Sequence, residues 1–348
     1  PEQWTDAALA LDEFTQGLRH VAWGQTELRH YRKVVLATLG QKLADCWANN
    51  RPIRLLDADA DLETMELSYD LIQVYLDEPV TRDQLEGTTL TLINKYQPKK
   101  GDCYFYCEPS PKQILFHLTK MMKNGKNLLI LSSSQKSRSA DGTINLEKKA
   151  LKHYKASEIL RIDSKTTADP DHPAFGITGE ILAAMLKQGI YKIIIASPTI
   201  CTGISIDGVN GYFSGVFSFQ SGNITANAVR QQLVRLRDFE CPRYVWTPKV
   251  GKNFVGCKST NPVELLTNQK GQAKLSFDFL GFKEAEKVIE SNICPLTKYW
   301  AKVGAKQNQE NYHYREVVRE GLESEGWNII EVTPNENDDL KAVWQERK

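Results

Sequence analysis

Two groups of residues in this chain have the types and spacing needed to hydrolyse a nucleoside triphosphate. The first is Asp12-Glu13, at the end of the apolar run Leu9-Ala10-Leu11. After a buried strand, such an Asp can hold Mg²⁺ while the neighbouring Glu polarises an attacking water. The same two carboxylates can equally cap a following helix. The second group comes much later, in Arg230-Gln231-Gln232-Leu233-Val234-Arg235-Leu236-Arg237-Asp238. A helix over Thr225 to Arg237 puts Gln231 and Arg235 one turn apart, with Gln231 offered to adenine or phosphate and arginine to the γ-phosphate. An arginine cluster of this kind can also be a solvated helix face.

Between these groups lie strand ends rich in small and hydroxyl residues. Ile193-Ile194-Ile195-Ala196 runs into Ser197-Pro198-Thr199-Ile200-Cys201-Thr202-Gly203-Ile204-Ser205-Ile206-Asp207-Gly208. There, free N–H and O–H groups can meet phosphates, and Gly203 allows close approach. Arg54-Leu55-Leu56 empties into Asp57, Asp59 and Asp61, of which Asp61 is expected to cap the helix that follows.

Positioning such residues requires the carboxyl ends of a parallel sheet, and the chain has the pattern of one. Apolar runs at Ala8–Leu11, Ile53–Leu56, Thr88–Ile93, Leu128–Leu131, Ile159–Ile162, Lys192–Ala196, Gly215–Phe219 and Tyr244–Trp246 alternate with helical stretches. Uniformly apolar strands alternating with helices are the signature of buried parallel sheets. A polar linker, Asn94 to Asp102, separates two α/β units, and beyond about residue 250 the alternation gives way to a loop-rich stretch, Lys249 to Gly271, and to helices of mixed charge over Phe282 to Ser291 and Leu296 to Gly326. The expected domains are therefore 1–94, 95–250 and a mainly helical 251–348.

Ser197 to Gly208 resembles motif V of superfamily 2 helicases, and Gln231 to Arg237 resembles motif VI, Q-x-x-G-R-x-x-R. Ser132-Ser133-Ser134-Gln135 is similar to motif IV, Arg161-Ile162-Asp163-Ser164 occupies the next strand end, Asp12-Glu13 falls where motif II belongs, and Asp57 to Leu62 falls near motif III. These strings, with Pro242-Arg243-Tyr244-Val245-Trp246, look like the helicase part of cyanobacterial RepA-type plasmid replication proteins, related to the herpesvirus origin-binding helicase. The resemblance spans roughly residues 8 to 250. It implies two RecA-like lobes, the first truncated at its N-terminus, and an ATP- and Mg²⁺-dependent DNA helicase of plasmid or mobile-element replication. Mg²⁺ goes to Asp12, and nucleotide to Asp12, Glu13, Ser205, Asp207, Gln231, Arg235 and Arg237. Nucleic acid, single-stranded or duplex, goes to Asp59, Ser132, Ser133, Ser134, Gln135, Ser164, Thr202 and Gly203. A primase or replication module in the same polypeptide is a further partner this resemblance admits.

The sequence departs from the family pattern at four points. It holds no G-x-x-x-x-G-K-[ST] phosphate loop, so the 348-residue chain is expected to bind nucleotide weakly and to hydrolyse little. Phe14-Thr15 follow Glu13, Val234 replaces the motif VI glycine, and Asp238 stands at the usual second arginine, leaving the finger between Arg235 and Arg237. The missing loop also keeps open a non-catalytic nucleic-acid-binding module built on degenerate lobes.

Bulk properties narrow the class. Lysine and arginine number 44 against 43 acidic residues, so a nucleic-acid surface has to be local. Seven irregularly spaced cysteines, with only Cys103 and Cys107 close together, fit reduced thiols in a cytoplasm better than a disulfide framework or a four-ligand metal site. No apolar run approaches the ~18 residues of a membrane span. In the tail, Lys298, Tyr299, Trp300, Lys302, Lys306, Tyr312, His313, Tyr314 and Arg315 interleave bases with aromatics. That pattern suits either a strand-contacting module or a packed helix pair.

Overall fold

The computed structural model describes residues 8–23, 28–57, 60–94, 96, 98–135, 139–198, 204–279 and 295–333. In chain order, β1 (Leu9–Asp12), α1 (Phe14–Trp23), α2 (Leu28–Ala48), β2 (Ile53–Leu56), α3 (Leu62–Tyr75) and α4 (Arg82–Gly87) come first. Next are β3 (Asp102–Tyr106), α5 (Lys112–Lys123), β4 (Leu128–Ser132), α6 (Thr143–Ala150), β5 (Ile159–Ile162), α7 (Gly179–Lys187), β6 (Ile193–Ala196), β7 (Gly215–Phe219), α8 (Ala226–Leu233) and β8 (Arg243–Trp246). The chain continues through α9 (Pro262–Phe279), α10 (Pro295–Tyr312), α11 (Tyr314–Ser324) and β9 (Asn328–Val332). The class is α/β with parallel sheets, as expected.

The chain forms two compact units, one of Pro1–Asn94 with Phe254–Asn308 and one of Lys95–Asn253 with Gln309–Lys348. The region 251–348, expected from sequence as a third body, is therefore shared between the two.

In the first unit, β1 and β2 pair in parallel, from Leu9 opposite Ile53 to Asp12 opposite Leu56. Phe14 and Leu18 of α1, Leu43 of α2 and Leu67 and Leu71 of α3 form its core, which Tyr299 and Val303 of α10 join. Helix starts are set locally. Asp61 accepts from the Thr64 N–H as the cap of α3, and Thr81 with Gln84 forms a capping box on α4. Thr88–Ile93, expected as a strand, has no ladder partner among the described residues, and Leu90, Leu92 and Ile93 are exposed. Residues 249–271, expected as loop, include the first half of α9, whereas the helix expected over Phe282 to Ser291 lies outside the described residues.

The second unit is a seven-stranded sheet in the order β5-β6-β4-β7-β8-β3-β9, with every pairing parallel. Helices cover both faces. Side chains of α7, α8 and α11, such as Leu182, Val229 and Val318, pack with Leu129, Ile194 and Val216. Ile114 and Leu118 of α5 and Leu146 of α6 pack on the other face with Ile130, Ile195 and Phe217. Alternate residues of each strand feed opposite cores, which is why β4, β6 and β7 are buried throughout and apolar. Each such side chain contributes about 1.5–3 kcal/mol on burial. The left-handed Gly125 (φ 65°) stops α5 and turns the chain into β4.

Candidate functional site

Because every strand of the large sheet is parallel, all carboxyl ends share one edge, and hydroxyl and amide side chains meet along it. Gln135, after β4, donates to the Ser197 hydroxyl after β6 (3.2 Å) and accepts from Ser164 after β5 (2.9 Å). Ser133 and Ser221, which follow β4 and β7, share a hydrogen bond of 2.9 Å between hydroxyls. Ser164 is exposed, and Ser133 and Gln135 are half-buried. Ser132 and Ser134 differ from these. Both are buried, and the Ser132 hydroxyl donates inward to the Asp141 carbonyl oxygen at 2.6 Å. Its geometry fixes the loop after β4.

The arginines sit otherwise than the expected helix would put them. Helix α8 begins on its Thr225 cap and ends at Leu233, so Arg235, in the turn that closes the helix, and Arg237 both lie beyond it. Leu236 forms a parallel bridge with Ile206: the Ile206 N–H donates to the Arg235 carbonyl (2.7 Å) and the Arg237 N–H to the Ile206 carbonyl (3.0 Å). Ile206 and Leu236 are fully buried. Ser205 and Asp207 flank Ile206 on one segment, and Arg235 and Arg237 flank Leu236 on the other. The Arg237 Nε donates to the Ser205 hydroxyl at 3.1 Å. Arg235 is half-buried, and its Nε has no hydrogen-bond partner among the described residues. Gln231, in the last turn of α8, is half-buried, while its neighbour Gln232 is fully buried and accepts from Gln220 at 2.9 Å.

Arg243, the first residue of β8, holds this segment in place and was not singled out from sequence as a site residue. It is completely buried, and its guanidinium donates to the carbonyl oxygens of Leu233 (3.3 Å), Leu236 (2.9 Å), Asp238 (3.0 Å) and Cys241. Its planar head lies 4.8 Å from the centre of the Trp327 ring. Burial pulls the guanidinium below its usual value, an effect that the neighbouring Cys241, Cys103 and Asp238 oppose. Burial also pushes the Cys103 thiol up to about 12 and the Cys241 thiol up to about 11, so both stay protonated. An arginine opening an otherwise apolar strand is the signal that marks such a clamp. Asp238 accepts from the Gly211 N–H at 2.8 Å and so fixes the loop before β7. On the other flank, a Cβ at Gly179 would fall 2.0 Å from the Ser205 carbonyl oxygen, so the start of α7 packs directly on that strand.

In the first unit, Asp12 and Glu13 close β1 and are exposed. Asp12 accepts from the Glu13 N–H at 3.0 Å. Glu13 has φ 50°, a left-handed conformation that a non-glycine residue takes at an energetic cost and that clusters at functional turns. Asp57, after β2, accepts from the Thr15 N–H at 2.7 Å and so caps α1. Asp61 is the cap expected for α3 and also pairs with Arg19 at 2.7 Å. Burial works to raise the Asp61 carboxyl, but hydrogen bonds from Thr64 and Arg19 outweigh it and leave it below the usual carboxylate value. Asp59, Thr202 and Gly203 lie outside the described residues.

Of the basic and aromatic residues of the tail, Lys298, Lys302, Lys306, Tyr312 and His313 are exposed, and the others are buried or half-buried. Tyr299 and Tyr314 are buried, Lys302 pairs with Glu66, and Lys306 lies 3.6 Å from Glu63. The Arg315 guanidinium donates to the carbonyls of Thr247, Cys107 and Glu108, tying α11 to the ends of β8 and β3. This is the packed-helix alternative.

Among the described residues, no group of three or more His, Cys, Asp or Glu side chains could hold a metal. Mg²⁺ in nucleotide sites needs only one or two carboxylates with phosphate and water, a demand that exposed Asp12 can meet. No described helix is long and apolar enough to cross a membrane.

No family model matches the chain. It is 31% identical, over 98% of its length, to an uncharacterized protein of Picosynechococcus sp., and it spans about a third (34%) of that protein. Among solved structures, the T. fusca Cas3–ADP complex aligns with 81% of this chain and 39% of that one, at TM-score 0.41 and 11% identity. A CRISPR-associated protein aligns with 88% and 32%, at TM-score 0.36 and 12% identity.

Proposed function

We propose that this chain is the motor portion of a superfamily 2 helicase or translocase that is driven by ATP and Mg²⁺ and acts on DNA in plasmid or mobile-element replication. Its two units are read as RecA-like lobes. The observation that carries this reading is the bridge between Ile206 and Leu236, which brings the segment of Arg235 and Arg237 beside that of Ser205 and Asp207, together with the Arg235 Nε that has no hydrogen-bond partner among the described residues. A buried N–H left without a partner costs about 1–3 kcal/mol, a cost that a phosphate oxygen can offset.

In this reading Asp12 holds Mg²⁺ and Glu13 orients the attacking water. Arg235 and Arg237 neutralise charge developing on the γ-phosphate, while Gln231, Ser205 and Asp207 assist nucleotide binding. Asp12 would hold the Mg²⁺, which would supply neutralisation of the triphosphate charge. Ser133, Gln135 and Ser164, with Asp59, Thr202 and Gly203, contact the strand through phosphates, and Ser132 and Ser134 shape the loop that presents them. Such contacts carry no base information, so stepping is sequence-independent.

The test is steady-state ATP turnover in a form of the polypeptide that hydrolyses ATP. Glu13→Gln is expected to abolish turnover while nucleotide still binds; normal turnover would refute the assignment. A second reading, a nucleic-acid-binding module without catalysis, is favoured by the absence of a G-x-x-x-x-G-K-[ST] segment from these 348 residues. It requires DNA affinity that neither nucleotide nor Glu13→Gln alters.

A further inference from the structure

The edge of the large sheet opposite Gln135 and Ser164 has a different chemistry. Strands β5, β6 and β4 are neighbours, and the three connections that feed them emerge side by side. Backbone bonds join the row, Leu128 N–H to the Lys192 carbonyl and Lys192 N–H to the Glu158 carbonyl, both 2.8 Å. The Tyr154 hydroxyl donates to the Lys126 carbonyl at 2.7 Å, tying the segment before β5 to the segment before β4. Burial pushes that hydroxyl up to about 12, so it remains a donor at any physiological pH.

On this platform stand Lys120, Lys123 and Lys126 from one connection and Lys148, Lys152 and Lys155 from the other, all exposed. Residues 120–127 and 148–158 contain one carboxylate, Glu158, and Lys192 already holds it at 2.7 Å. Against a whole chain of 44 basic and 43 acidic residues, this is a strong local excess. Lysines in the last turns of α5 and α6 complement the helix dipoles, which accounts for Lys120, Lys123 and Lys148. The dipoles give no reason for Lys126, Lys152 and Lys155 in the loops beyond. With strands about 4.8 Å apart, β4 and β5, on either side of β6, begin about 10 Å from each other, a spacing that one backbone can bridge.

We infer that this amino-terminal edge is a second nucleic-acid contact surface, one that grips the phosphate backbone without reading bases. Lysine is depleted in protein–protein interfaces, whose centres are apolar and aromatic. The exposed large hydrophobic side chain within these two segments is Leu151. Point charges on flexible stems over a flat platform suit phosphates instead. The surface needs no nucleotide chemistry, so it stands or falls apart from the motor assignment.

The experiment measures binding of the 348-residue chain to a short random-sequence DNA duplex, without nucleotide, across a salt series. The triple variant Lys126→Gln, Lys152→Gln, Lys155→Gln is compared with Lys33→Gln, Lys42→Gln, Lys270→Gln, which removes equal charge elsewhere. Each lost phosphate contact lowers the slope of log affinity against log salt by about one. The first triple is expected to lower it by about three and to weaken low-salt binding at least about tenfold, with little effect from the second. Unfolding curves for both triples should overlay those of the parent chain. Equal effects of the two triples, or an unchanged slope in the first, would overturn the inference. So would loss of poly-glutamate binding in the first triple with duplex affinity intact, which would mark an acidic protein as the partner.

Discussion

The Nε of Arg237 lies 3.1 Å from the Ser205 hydroxyl, so an arginine late in the chain and a serine 32 residues before it meet across a parallel bridge. The bridge sets Arg235 and Arg237 on either side of the buried Leu236, just past the end of α8.

A comparison of single substitutions distinguishes the roles of the two arginines. The finger residue changed to alanine should cost on the order of 10³ in ATP turnover. The other should chiefly weaken nucleotide binding. Single-turnover kinetics separate the two effects; if both variants turn over normally, neither arginine is a finger.

Arg243→Met should be severe. The methionine fills part of the volume, yet four carbonyl oxygens lose their donor in a buried setting, a loss of about 3 kcal/mol or more. Urea unfolding reads the stability loss. If nucleotide binding fails before the fold does, the clamp's main work is holding the arginine segment.

Gly179→Ala tests the other support of the ladder. Its new methyl group would overlap the Ser205 carbonyl oxygen, and because the obstacle is backbone, the strand must shift. A loss of about 1–3 kcal/mol is expected, together with weakened nucleotide binding. An unchanged melting temperature and affinity would show that α7 has room to move.

The acid limb of stability should depend on Asp61. Its folded carboxyl lies below the ordinary aspartate value of 3.8, so its stabilisation is complete above that pH and fades as pH falls through the lower folded value. Asp61→Asn should flatten this limb below about pH 4. Asp61→Ala additionally removes the cap of α3, at about 1 kcal/mol at neutral pH. Identical acid unfolding in Asp61→Asn and the parent would show that other carboxylates govern it.

Gln135→Ala should weaken single-strand binding severalfold without altering thermal stability, since Gln135 spans two loop hydroxyls and supports no core contact. A fall in melting temperature with unchanged affinity would make it structural.

Legibility followed polarity. Strands β5 and β7 match their apolar runs residue for residue, because burial on both faces leaves little other pattern; β2 also matches, although Arg54 and Leu56 are exposed. β3 was hidden: Asp102-Cys103-Tyr104-Phe105-Tyr106 follows the polar linker, and its alternation does not advertise a strand paired on both sides, next to the edge strand β9. β9 is an edge strand of mixed polarity supplied by the tail. Thr88–Ile93 has strand composition without a ladder partner among the described residues, since propensity expresses packing as much as backbone preference. Helix α8 was read too long because nothing in Val234 to Arg237 forbids a helix. The competing demand, the pull of Arg243 on the carbonyls of Leu233 and Leu236, comes from outside the segment. At the strand ends, the meeting of Gln135 with Ser164 followed from the parallel-sheet rule, whereas the inward turn of Ser132 depended on the Asp141 carbonyl, which no local pattern reveals.

The sharing of the tail between the two units bears on how the gene can be cut. Residues 95–253 look like a self-sufficient cassette, yet a stop codon after them would leave β3 with one neighbour, take the ring away from Arg243, and release the strand ends that Arg315 ties together. Expression of that cassette alone should yield aggregates, and any exchange of it between proteins must carry the distant segment from about residue 309 along with it.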